Sequence, residues 1–236
     1  MNKKVLVIIG IVMMVLFLGL LVLNISLPEK KEAAVIEIPE LTEIDPYLRI
    51  RNGFDKLKAG LDEMERQSPK SAPLVQGNGI SIDKKAFLFY KFNVHLTDSL
   101  REEPIGAPDD RELLDRMVKK LLFVQQGIER GVTVSDDEID EFIAGQRDMF
   151  ANYNPDNEEE RLLKAVFENR IRITGLSDTE FWQSDEARQS YFEAIVYSKY
   201  SDTLISEGTI EDRKEIDGYI DELFKKSKRK LVYNYS

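Results

Sequence analysis

Hydrophobic positions form a nearly unbroken run over 5–23, behind Lys3 and Lys4, and become periodic only after residue 46. About 20 apolar residues at 1.5 Å each cross a bilayer core of roughly 30 Å, so the run predicts a single transmembrane helix. A cleavable signal peptide has an apolar region of only about 7–15 residues and small residues at its cut site, and Val22, Leu23 and Asn24 supply no such site. Lys3 and Lys4 keep the tip in the cytoplasm by the positive-inside rule. Residues 1–28 are therefore expected to be a cytoplasmic tip and signal anchor, with the rest of the chain extracytoplasmic in a single-pass topology.

From 29 to 78 the pattern predicts a juxtamembrane stalk. Its first part is acidic and proline-bearing, with alternating Val35, Ile36, Glu37 and Ile38, and reads as an extended spacer. Then Tyr47, Ile50, Phe54, Leu57, Leu61 and Met64 recur at three- and four-residue steps, which predicts an amphipathic helix over 47–66. Gly53 and Gly60 weaken it by about 1 kcal/mol each relative to Ala. The stripe can serve as a homodimer seam or pack on the chain's own domain, and a span under three heptads favours packing. Ser68, Pro69, Ser71 and Pro73 then break the helix.

The remaining residues, 79–236, read as one mainly helical domain. Gly77, Asn78 and Gly79 make a turn, too isolated for a phosphate-binding fingerprint. Ile80–Ile82 fits a short strand or a helix entry, with Asp83 as N-cap of a helix rich in aromatics. Leu113, Leu114, Met117, Val118, Leu121, Leu122, Val124 and Ile128 form the apolar face of a helix that Gly131 ends. Ser135 and Glu138, and again Ser177 and Glu180, have capping-box spacing. Further helices are expected from about Glu158 to Gly175, from about Asp185 to near Gly208 and from about Glu211. Leu231, Val232, Tyr233 and Tyr235 around Asn234 predict a closing strand.

Composition narrows the function. The chain has 236 residues with a formal net charge of −10, which argues against nucleic acid as a partner. The basic run from Lys225 to Lys230 sits at a predicted helix C-terminus, where it complements the helix dipole. There are no cysteines, so disulfides, thiol nucleophiles and thiolate metal sites are excluded, and His95 is the only histidine. Asp136, Asp137 and Asp140 lack the alternation and central glycine of an EF-hand. No catalytic residue, metal site or cofactor is expected. Spacing alone leads to an anchored helical domain that binds rather than catalyses.

The segment from Leu113 to Asp140 resembles the chaperone domain of the SurA and PrsA foldases. The resemblance rests on Leu121, Leu122, Gln125, Arg130 and Gly131, the turn Val132, Thr133, Val134 and Ser135, and the helix opening Asp137, Glu138, Ile139 and Asp140. Gly175 to Ser177, followed by Glu180, Phe181 and Trp182, is similar to the start of a later helix of that domain. Tyr219 to Tyr233 is similar to its closing helix and strand. Such foldases usually carry a parvulin-type isomerase module before the closing helix, and the chain has no counterpart between Gly175 and its last helix. The resemblance implies a SurA-N-like chaperone without prolyl isomerase activity. Its partners would be unfolded or newly exported polypeptides, and membrane lipid through the N-terminal helix. Client-contact candidates are Phe87, Phe89, Tyr90, Phe92, Phe142, Phe150, Phe181 and Trp182, most of them core and about a third facing a groove. The alternative is a cell-envelope scaffold that docks one specific partner.

Overall fold

The computed structural model describes residues 41–67 and 72–234. The expected anchor, the spacer up to residue 40 and the linker at 68–71 lie outside the described residues. Among the described residues no helix is long and apolar enough to cross a membrane. They form a mainly helical fold with eight α-helices and one three-stranded sheet.

The chain enters through α1 (Pro46–Gln67), then makes a hairpin of β1 (Val75–Gly77) and β2 (Ile80–Ile82). Gly77 pairs with Ile80, so Asn78 and Gly79 are the whole loop. Their φ angles of 51° and 79° are those of a type I′ turn, whose twist matches that of the strands. Asp83 then caps α2 (Lys84–Ser99) by accepting the Ala86 amide at 2.7 Å. Next come α3 (Asp110–Glu129), capped by Asp109, and α4 (Asp136–Ala151). The chain continues through α5 (Glu158–Thr174), α6 (Asp178–Gln183), α7 (Asp185–Ser206) and α8 (Ile216–Ser227). Both expected capping boxes form, Ser135 with Glu138 on α4 and Ser177 with Glu180 on α6. β3 (Val232–Tyr233) returns to lie antiparallel to β1, giving the order β2-β1-β3.

The helix expected within the stalk is built into the domain. α1 packs on α5 and α2, and Ile50, Phe54 and Leu57 are completely buried. Phe54 meets Phe92 edge-on at 5.0 Å. Gly53, counted as a weakness from sequence, is the crossing point: a Cβ there would lie 2.8 Å from Leu41 and 3.2 Å from Phe92. The stripe offered as a homodimer seam is thus occupied within the chain. A division between stalk and domain at 78/79 does not follow the packing, because α1 and β1 lie in one hydrophobic core with residues of α2 through α7.

The core has two parts. Among the described residues, the larger joins α1, the sheet, α2, most of α3, α4 through α7, and Phe224 of α8. The smaller gathers Phe123, Tyr200, Leu204, Ile210, Ile216 and Ile220 where α3, α7 and α8 meet. α3 therefore buries two faces. This explains why Phe123, outside the expected stripe, is fully buried while Ile128, inside it, is exposed.

Candidate client-contact surface

Five of the eight candidate aromatics are buried: Phe87, Phe89 and Phe92 on α2, Phe181 and Trp182 on α6. Tyr90, Phe142 and Phe150 are half-buried. Phe87 and Phe92 belong to the core under α1, where Phe92 meets Phe54, and contribute nothing to an outer surface. Burial pushes the Tyr90 hydroxyl up to about 12, so it stays protonated at neutral pH.

The other aromatics converge. α6 is only six residues long, but its capping box fixes its start and Trp182 Nε1 donates to Asp178 Oδ1 at 2.9 Å. That bond holds the indole in a layer between Phe167 of α5, with ring centroids 4.9 Å apart, and Tyr191 of α7 at 5.9 Å. Phe181 meets Phe167 edge-on at 5.7 Å. From α4, Phe150 stacks on Phe167 at 4.2 Å and Phe142 lies 5.4 Å from Tyr191. The structure thus unites Phe142, Phe150, Phe181 and Trp182. It adds two aromatics, Phe167 of α5 and Tyr191 of α7, that were not among the candidates.

A buried cation underlies the layer. The Arg170 guanidinium lies 5.2 Å from the Phe89 ring centroid and 5.7 Å from that of Phe181. Stacking on aromatic faces suits a weakly hydrated guanidinium. Burial lowers its pKa, but the group remains charged at neutral pH. Sequence gave no hint of this, since Arg170 stands on α5 among exposed charged residues.

His95 lies half-buried on α2, beside the pair that Lys91 makes with Asp110 at 2.6 Å. Desolvation, helped by Lys91, lowers its pKa, so the ring is neutral at pH 7, and its Nε2 has no hydrogen-bond partner. Among the described residues no group of His, Asp and Glu is placed to hold a metal.

Apolar surface is also presented at one end of the α1–α2 pair. Ile44 is 94% exposed and Ile105 78% exposed, and Leu48 on the first turn of α1 is exposed as well. Arg49 organises this end by donating to the carbonyls of Glu43, Ile44 and Ser99. Asp98 holds the Ile105 and Gly106 amides at 3.0 Å.

The fold and this surface define a mainly helical domain with an aromatic layer under one helix. Compared with family models, curated proteins and solved structures, the chain matches none.

Proposed function

We propose that this protein is a membrane-anchored extracytoplasmic holdase that binds unfolded segments of exported polypeptides and does not isomerise prolines. The observation that carries the reading is the aromatic layer of Phe167, Trp182 and Tyr191, edged by the half-buried Phe142 and Phe150. A site that accepts many sequences needs polarizable apolar area bounded by a polar rim, and this layer, itself buried, supplies the apolar area. Here Arg147, Asp178, Arg188 and Asp140 supply that rim. The segment that resembles the foldases adds support. It folds as a long helix, a turn at Gly131 with φ of 85° and a box-capped second helix, and the last strand closes on β1. Anchoring through 1–28 would raise the domain's local concentration around chains leaving the membrane.

A second reading, a scaffold that docks one folded partner, is favoured by the exposed Ile44, Leu48 and Ile105. The two differ in promiscuity. The full chain in lipid nanodiscs is mixed with several unrelated denatured proteins, and light scattering is compared with that over empty nanodiscs. A holdase suppresses scattering for most of them at stoichiometric ratio. No suppression for any of them removes the holdase reading and leaves the scaffold.

A further inference from the structure

α4 is the least buried long helix among the described residues: of its sixteen residues only Ile139 and Ile143 are buried. It is tied to the rest of the chain by one apolar stripe, of which Phe142, Met149 and Phe150 are only partly buried, and by surface ion pairs. Glu138 pairs with Lys199, Asp136 and Asp140 with Arg188, and Arg147 with Asp178, each with at least one partner well exposed. Pairs of this kind contribute little to stability. Gly145 stands in the middle of the helix facing open space, and glycine there weakens a helix without serving any contact. A polar turn from Asn152 to Asn157 follows the helix, and the Gly131 turn precedes it.

The face beneath α4 is built without it. Trp182 is held by Asp178, Phe181 meets Phe167 edge-on, and Arg170 lies under the rings of Phe89 and Phe181, so α5, α6 and α7 keep the layer when α4 leaves. A helix with few buried contacts opens at a smaller cost than the whole fold. α4 also shows what the face accepts. It offers Ile139, Phe142, Ile143, Met149 and Phe150, an apolar stripe with two aromatics eight positions apart.

We propose that α4 is a displaceable cover, and that the aromatic layer of Phe167, Trp182 and Tyr191 beneath it is a groove for an amphipathic segment of a non-native chain, which takes the place of α4. This rests on the holdase reading for the nature of the occupant. The groove recognises aromatic and aliphatic side chains at helical spacing, as grooves that receive one helix face do.

The test uses the full chain in nanodiscs and a synthetic peptide with the sequence of residues 136–151. Trp182 is the only tryptophan, so its fluorescence reports on the groove. Amides of α4 should exchange at least about tenfold faster than those of α3. Peptide binding should change Trp182 emission. Two variants outside the groove tune the cover in opposite directions. Gly145→Ala strengthens α4 and should weaken peptide binding about two- to fivefold. Ser135→Ala removes the N-cap and should tighten it by a similar factor, about two- to fivefold. Equal exchange in α3 and α4, no emission change with peptide, or shifts of the same sign in both variants would overturn the proposal. Opposite shifts without suppression of client scattering would uphold the groove and remove the holdase reading. Suppression that neither variant alters would uphold the holdase and remove the cover.

Discussion

Glu193 of α7 is 4% exposed, in the seam with Lys120 of α3, and accepts a hydrogen bond from Gln189 at 3.1 Å. Burial outweighs their mutual attraction and holds both groups toward their neutral forms, with Glu193 raised to about 7 and Lys120 lowered to about 8. The consequence for stability has a sign. As pH rises from 4.5 to about 7 the unfolded chain releases the Glu193 proton while the folded chain retains it, so this group's contribution is lost across that window. The Lys120 contribution is present above 10.5 and lost as pH falls through about 8, so the pair contributes least between about 7 and 8. Glu193→Gln should flatten the decline between pH 4.5 and 7, with a relative gain at the upper end on the order of 2 kcal/mol. Urea unfolding of both proteins at the two pH values measures it, and parallel profiles would refute it. The burial of Glu193 was not legible beforehand: with 43 acidic residues, nothing in the spacing separates it from its solvated neighbours. Aromatic residues were better signposts, since four of the eight candidates meet in one layer. Which of them reach the outside depends on how α4 lies, and that is not a local property.

At the scale of elements, what was readable is what residues three or four apart decide. The N-caps Asp83, Ser135 and Ser177 form as their spacing predicts, and Gly175 stops α5 with a φ of 74°. Elements whose form depends on distant chain were not readable. The smaller core came from the second face of α3, and its Phe123 contacts Tyr197 and Tyr200 of α7 and Tyr219 of α8. The β-hairpin shows both cases. Asn78 and Gly79 announce a tight turn, but the demand on Gly77 comes from Lys230, whose carbonyl oxygen would lie 2.2 Å from a Cβ at Gly77. Gly77 also has a φ of 128°, which side-chain-bearing residues rarely adopt. Gly77→Ala should therefore cost more than about 2 kcal/mol, a loss that thermal or urea unfolding will read. A cost below about half that would mean the closing turn near Lys230 gives way easily.

The whole molecule depends on its first described helix and the strand that follows it. Ile50, Phe54, Leu57, Leu74 and Val75 are all at most 1% exposed, and burial of such side chains contributes about 1.5–3 kcal/mol each. Their sum, roughly 10 kcal/mol, matches the entire stability of a typical domain. A fragment of residues 79–236 should consequently fail to unfold cooperatively, whereas one of residues 41–236 should show a single sharp transition by circular dichroism. A cooperative transition in the shorter fragment would restore the division into stalk and domain. That division looked natural in sequence because the Pro/Ser stretch after α1 reads as a boundary, and only tertiary packing reveals the chain returning to cover its own start. The sheet has the same logic in time. Its middle strand, β1, gains one neighbour, β2, after a two-residue turn, but its other neighbour, β3, follows only after all the helices from α2 to α8. A nascent chain that stops short of Val232 keeps a bare strand edge, the feature most prone to improper pairing and most easily noticed by proteases.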